Sequence, residues 1–291
     1  PVGVTCTERD PHAEKKIMDM ICYPERLTYA GRLDKDSEGL ILLTNDGDLI
    51  NAMMRGANRH EKEYIVKTIV TTETIKTIAE RNGVEMYDVY TGFKWIANVM
   101  RENEGKKNYI GGGEESYGFL CEDFVRDKDA VSACVILAEI AAWAKDQGLS
   151  LYQLLQKIYV EYGFSKEKGI SVVKKGKSGA EEIEAMMKKF RENPLTEIAG
   201  SKVTYFYDYS TLKGKDYAEN ETVTLDMPTT SNVLQYFTED NTKVSIRPSG
   251  TEPKIKFYCE VHSKVKNIDE LPEAEKAAEE KINQIKASLG I

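Results

Sequence analysis

Between residues 245 and 254 the chain reads Ser245-Ile246-Arg247-Pro248-Ser249-Gly250-Thr251-Glu252-Pro253-Lys254. Ser249, Gly250 and Thr251 can turn successive backbone N–H groups and two hydroxyls toward one point, which makes an anion nest. Arg247 adds a planar fork matched to phosphate oxygens, and Lys254 a further positive charge. By spacing alone, a tight turn with a solvated arginine is an equal reading. A second segment, Gly111-Gly112-Gly113-Glu114-Glu115-Ser116-Tyr117-Gly118, carries glycines on both sides that would let the backbone approach a ligand. Glu114 and Ser116 would face the same side of extended chain. A carboxylate and a hydroxyl so placed suit the hydroxyls of a sugar, although a charged surface loop has the same composition. In Thr91-Gly92-Phe93-Lys94-Trp95, Lys94 stands where a strand is expected to end, the place at which open α/β sheets gather ligands. Arg126-Asp127-Lys128-Asp129 precedes an apolar run and reads as a charged helix start.

These segments need elements to hold them. A β-branched run over 65–71 suits a buried strand. Thr72 can cap a helix over 73–81 that Asn82-Gly83 ends, and 84–89 reads as the next strand. Strand, helix, strand indicates a parallel α/β layer. Residues 130–145 form an Ala-rich helix, apolar almost all round and therefore expected to be buried. A helix over 151–162 places Leu151, Leu154, Leu155 and Ile158 on one face. Another over 181–192 stops at Asn193-Pro194, with Gly176-Lys177-Ser178-Gly179 as a flexible turn before it. After Gly200 the period changes to strands at 203–209, 223–225, 243–246 and 254–261, then to an amphipathic helix over 273–289 with Pro272 in its first turn. This order predicts an α/β domain followed by a separate α+β domain, divided at 191–201. Before residue 67 the texture differs: a strand-like run at 39–44 meets the turn signal Asn45-Asp46-Gly47-Asp48.

A chain of 291 residues has room for two or three domains. A net charge of −8 argues against a broad nucleic-acid surface. No apolar run approaches the ~20 residues that cross a bilayer, so no membrane association is expected. The five cysteines, at 6, 22, 121, 134 and 259, are scattered without metal-ligand spacing, which predicts reduced thiols in the cytoplasm and no metal site.

In order and spacing, the segments 91–97, 111–120, 126–138 and 247–258 together resemble the α-D-phosphohexomutase family of phosphoglucomutases and phosphomannomutases. The likeness covers about the last three quarters of the chain. It implies an isomerase of the intramolecular phosphotransferase type, with a mixed α/β third domain over 68–195 and an α+β carboxyl-terminal domain over 196–291. The partner it implies is a hexose phosphate such as glucose 1-phosphate or mannose 1-phosphate. By the resemblance, Arg247, Ser249, Gly250 and Thr251 hold the non-transferring phosphate, with Lys254 beside them. Glu114 and Ser116 hold sugar hydroxyls, and Lys94 is the catalytic-site lysine beside the reacting sugar.

The family also uses a phosphoserine within Thr-x-Ser-His-Asn-Pro and Mg2+ on an Asp-Gly-Asp-x-Asp-Arg loop. Here His12, His60 and His262 follow Pro11, Arg59 and Val261, and Asp46-Gly47-Asp48 continues as Leu49-Ile50-Asn51. The expectation is that this chain alone binds no cofactor and does not turn substrate over, because in-line transfer needs both a donor and a cation.

The remaining segment, 1–67, reads as a partial β-rich piece. Its Tyr29-Ala30-Gly31-Arg32-Leu33-Asp34 stretch, with Lys62-Glu63-Tyr64-Ile65-Val66, resembles ribosomal RNA pseudouridine synthases. That likeness implies Asp34 as the attacking carboxylate, Arg32 as its positioning group and Tyr64 stacked on a flipped base, with ribosomal RNA as partner. Without it, Arg32 and Asp34 are an ion-paired turn. The alternatives to a phosphohexomutase-type protein are therefore a pseudouridine synthase, or a non-catalytic chimeric module that binds phosphosugars.

Overall fold

The computed structural model describes residues 1–7, 10, 13–33, 35, 36, 38–54, 62–174, 176–250 and 252–291. It divides into two units, Pro1–Glu61 and Lys62–Ile291. In the first, β1 (Thr28–Ala30) pairs antiparallel with β2 (Leu42–Thr44), with Tyr29 opposite Leu43. The helix α1 (Gly47–Met54) follows. Asp46 Oδ1 accepts from the N–H groups of Asp48 and Leu49 at 2.9 and 3.0 Å. Residues 45–48, expected to be a plain turn, are thus a capped helix start, because an Asp at that place satisfies two orphan donors at once.

The second unit opens with a four-stranded sheet. Its elements are β3 (Glu63–Thr68), α2 (Thr74–Arg81), β4 (Glu85–Val89), α3 (Phe93–Asn103), β5 (Asn108–Gly113) and β6 (Phe119–Cys121). The order is β4-β3-β5-β6, with β3 parallel to β4 and β5, and β6 antiparallel at the edge. Tyr64 and Val66 of β3 pack with Phe93, Ile96 and Met100 of α3. Spaced at i, i+3 and i+7, those three fall on one helical face. The strand ends at Val89 as expected, and the helix after it adds to what the sequence predicts.

The triple glycine lies within β5, paired on both sides, and does not form a ligand loop. A Cβ on Gly112 would stand 2.5 Å from the Val66 carbonyl oxygen and 2.6 Å from the Tyr109 hydroxyl. Gly112 is thus required by close packing against β3.

Two helices follow, α4 (Ala130–Asp146) and α5 (Leu151–Tyr162). The expected burial of α4 is not observed. Val131, Leu137 and Trp143 are more than half exposed, and Ala144 is its one buried residue. A helix that is apolar all round has no single stripe to bury; α4 touches β6 and α5 along one side and leaves the rest without a partner among the described residues.

The chain then builds an antiparallel sheet from β7 (Phe164–Val173), β8 (Glu197–Ile198), β9 (Ser201–Asp208), β10 (Lys213–Asp216), β11 (Glu221–Thr224), β12 (Leu234–Thr238), β13 (Lys243–Pro248) and β14 (Lys254–Ser263). The order is β11-β10-β9-β12-β13-β14-β7, with β8 on β9. The ten-residue strand β7 was not legible in advance, since Lys166, Glu167 and Lys168 interrupt its apolar pattern. Lys166 and Lys168 reach Glu275 and Glu279 of the terminal helix α7 (Leu271–Leu289). The helix α6 (Gly176–Glu192) takes in the Gly176–Gly179 stretch that the sequence suggested was a flexible turn.

One face of this sheet is covered by α6 and α7. Val244, Ile246, Ile255, Phe257 and Cys259 meet Ile183 and Met187 of α6 and Ile282 and Ile285 of α7 there. No helix among the described residues is long and apolar enough to cross a membrane.

Candidate functional site

Alternation along β13 and β14 puts a different set of side chains on the opposite face. Lys243 pairs with Glu260, Ser245 with Tyr258 and Arg247 with Lys256 across the ladder. Arg247, on β13 just before the expected phosphate loop, is half-buried. Between the strands the chain reverses, with the Ser249 N–H donating to the Lys254 carbonyl at 2.8 Å. The Ser249 hydroxyl accepts from the Glu252 N–H at 3.3 Å, and Gly250 is exposed at the tip. Lys254 is not a free charge here: its Nζ lies 2.6 Å from Glu252 Oε2 and holds that carboxyl below its ordinary range. Thr251 lies outside the described residues.

The glutamate segment is the tip of the β5–β6 hairpin and not extended chain. Glu114 N–H donates to the Gly118 carbonyl at 2.8 Å, and Tyr117, with φ of +69°, donates to the Glu114 carbonyl at 3.2 Å. Glu114 Oε1 accepts from the Gly92 N–H at 2.6 Å. Gly92 has a φ of +112° and caps α3, so a side chain there would be strained. That bond ties the hairpin tip to the start of the helix that carries Lys94. Lys94 is exposed, with Nζ 5.1 Å from the centre of the Trp95 ring. Ser116 is exposed. Glu115, which the sequence reading passed over, accepts from the Thr68 hydroxyl at 3.1 Å. It shares a cleft of about 360 Å³ with Val70, Tyr117, Lys243 and Tyr258. The hairpin tip and the face that carries Arg247 therefore front one cavity.

Behind this cleft runs a chain of alternating charges. Lys67 Nζ lies 2.6 Å from Asp88 and 3.0 Å from Glu73; Lys243 Nζ lies 2.5 Å from Glu73 and 2.9 Å from Glu260. Lys243 also donates to the Thr71 carbonyl at 2.7 Å. Glu260 Oε1 accepts from the Glu73 N–H at 2.6 Å, the Thr72 hydroxyl at 2.9 Å and His262 Nε2 at 2.7 Å. Burial works to raise the Glu260 pKa, but Lys243 and then His262 overcome it and hold the carboxyl at about 2. With that carboxylate ionised, His262 Nε2 is the donor. Burial likewise opposes the charge on Lys243, and Glu260 and Glu73 outweigh it, so its pKa is raised. Gln235 adds a neutral link, donating to the Ile69 carbonyl at 2.7 Å and the Ser245 hydroxyl at 2.8 Å. Sequence reasoning missed this network. The available signal was a lysine inside an apolar strand run, as in Ile65-Val66-Lys67-Thr68-Ile69, which announces a buried partner.

The RNA-site expectations fare differently. Tyr64 is 1% exposed, its ring centre 5.5 Å from those of Tyr87 and Tyr109, and burial pushes its phenol up to about 12. It is core and cannot stack on a flipped base; the β3 register turns it toward α3. Arg32 is exposed in the other unit, after Gly31. Asp34 lies outside the described residues. Nor do Asp46 and Asp48 suit a magnesium loop, since Asp46 Oδ1 is engaged in capping α1. No cluster of three or more potential metal ligands occurs among the described residues.

Comparison with known proteins bears on the same segments. Residues 46–162 match the family model described as phosphoglucomutase/phosphomannomutase, alpha/beta/alpha domain III, and residues 172–278 match that of the phosphoglucomutase/phosphomannomutase C-terminal domain. A phosphoglucomutase of Staphylococcus aureus (strain USA300) is 36% identical over 245 residues, which is 83% of this chain and 44% of the relative. One from Staphylococcus haemolyticus is 35% identical over 214 residues, covering 74% and 39%. The chain thus spans about two fifths of the length of the curated relatives it matches. Among solved structures, the Paramecium phosphoglucomutase pp63/parafusin in its open form aligns with a TM-score of 0.48 and 18% identity, over 78% of this chain and 38% of that one. The domain III match begins at residue 46, inside the stretch that resembled a pseudouridine synthase, and none of these findings supports that likeness. From residue 46 to residue 278, this chain belongs to the phosphoglucomutase/phosphomannomutase family and carries its third and carboxyl-terminal domains.

Proposed function

We propose that the chain binds a hexose phosphate, of the type of glucose 1-phosphate or mannose 1-phosphate, where the β5–β6 tip fronts the face of β13 and β14 that carries Arg247. The observation that carries this is the shared cavity: Glu115 and Tyr258 line it together, which brings a carboxylate-bearing hairpin to the face that carries Arg247. In this reading Arg247 meets the phosphate as a bidentate donor, with the Ser249–Thr251 backbone as nest. Glu114 and Ser116 take sugar hydroxyls. Lys94, on the helix tethered through Gly92 to Glu114, approaches the reacting end. Lys254, already paired with Glu252, contributes less than a free cation would. The residues of the chain as it stands include no Ser-His pair and no complete Asp-Gly-Asp-x-Asp-Arg stretch, so they bind without turning substrate over.

Calorimetric titration with glucose 1-phosphate tests this. Arg247→Ala should weaken binding by about 1.5–3 kcal/mol, as for the loss of a charge-assisted hydrogen bond. Equal affinity in the variant would remove the β13–β14 loop from the site.

A further inference from the structure

Tyr258 is 9% exposed, and its hydroxyl makes no hydrogen bond among the described residues. A buried, unpaired hydroxyl costs about 1–3 kcal/mol, so native structures leave few of them without a reason. The environment supplies one. Across the sheet Tyr258 pairs with Ser245 on one side and Gly169 on the other. Tyr258 and Gly169 line the same cleft, and a Cβ added to Gly169 would meet nothing within 4 Å, so no side chain from β7 covers the phenol there. Arg247 lies on the same face as Tyr258, diagonal to it, since it follows Ser245 by two residues. Diagonal neighbours of this kind are within reach when the side chains are long. Glu115 lines the same cleft from the hairpin tip. Burial first, and then Glu115, raise the Tyr258 pKa, while Arg247 acts the other way. The phenol therefore stays protonated at neutral pH and can donate.

We propose that Tyr258 is a positioning residue that couples the two binding loops, its hydroxyl donating to Glu115 and accepting from Arg247 when a hexose phosphate draws the loops together. Glu115 and Glu114 are adjacent on one turn. A bond from Tyr258 to Glu115 would thus fix Glu114 and Ser116 relative to the guanidinium that meets the phosphate. The latch would report sugar occupancy to the phosphate side. Inorganic phosphate, which has no sugar to engage the hairpin, would not need it. The inference rests on the hexose-phosphate reading above.

The test is calorimetric titration of the full chain with glucose 1-phosphate and, separately, inorganic phosphate. The proteins are wild type, Tyr258→Phe, Glu115→Gln and the double variant, with melting curves confirming that each folds. Each single change should weaken glucose 1-phosphate about ten- to a hundredfold, as for loss of one hydrogen bond to a charged group, and leave phosphate within about twofold. The double variant should be no weaker than the weaker single, because the two changes remove one bond. Unchanged glucose 1-phosphate binding by Tyr258→Phe overturns the latch. So does an equal loss for both ligands, or losses that add in the double variant. Should Tyr258→Phe fail to fold, the Glu115→Gln comparison of the two ligands decides by the same criteria. Wild-type protein that binds neither ligand overturns this inference together with the function it rests on.

Discussion

At the start of β13 and the facing end of β14, both faces of the eight-stranded sheet are buried, and they are held by different forces. On one, Val244, Ile246, Ile255 and Phe257 are fully buried under α6 and α7. On the other, Lys243, Ser245 and Glu260 are buried to a similar degree, yet every one is polar. The apolar face gains from area removed from water, a non-directional effect that tolerates a near-isosteric change. The charged face has to recover the cost of desolvating ions through Lys243, Glu73, Glu260 and His262 at fixed distances. The lesson is that burial alone says little about what a substitution will do. The same strand carries positions where one methylene is a small matter and, one residue along, positions where one atom out of place leaves a naked charge.

The sharpest way to break this comparison is Lys243→Ala. It strands Glu260 and Glu73 without their shared cation and should destabilise by about 3–5 kcal/mol, read from chemical denaturation. A loss below about 1 kcal/mol would mean that water or a rearranged partner reaches the site and screens the stranded carboxylates.

Acid should separate the faces next. Glu260 is depressed from 4.5 to about 2, so its contribution is complete above pH 4.5 and is lost as the pH falls toward 2. The protein should lose on the order of 3 kcal/mol over that window, and Glu260→Gln should flatten that part of the stability–pH curve. The Lys243 contribution has the opposite sign of dependence: its raised pKa means that it persists below 10.5 and fails only on the alkaline side. An acid profile unchanged by Glu260→Gln would show that other carboxylates carry the transition.

The smallest expected effect sharpens the contrast from the apolar side. Ile246→Val, at a fully buried position, should cost about 0.5–1.5 kcal/mol and leave the acid profile unaltered in shape. A shift of the acid midpoint by this variant would mean that the two faces are coupled through the backbone of β13.

Much of the architecture was legible. The β-branched run at 65–71 and the strand expected at 254–261 correspond to β3, which ends earlier at Thr68, and to β14, because a period of two cannot be satisfied by a helix with one buried stripe. Leu151 to Tyr162 carries its own capping box and was bounded correctly. Ser249 and Gly250 lie between two strands as expected, whereas Arg247 belongs to β13, which runs two residues past the expected end at 246. The strand β7 was not legible, since its charged residues find partners on α7, more than a hundred residues away. The hairpin tip was read as extended chain, whereas the bond between Gly118 and Glu114 that closes it depends on the β5–β6 pairing.

By itself the sequence determined part of the local grammar of this protein: the strands β3, β4, β13 and β14, where α5 and α7 lie, and that a donor-rich loop sits between β13 and β14. Those properties follow from short-range sterics and from the spacing of apolar side chains. What only the tertiary structure decided is which side chains share a space. Tyr64 went into the core, Glu115 rather than Glu114 came to the cleft beside Tyr258, and α4 stayed exposed despite its composition. Each outcome depends on a partner supplied or withheld at long range. A side chain's own chemistry specifies the kind of partner it needs, and the fold alone determines whether one arrives.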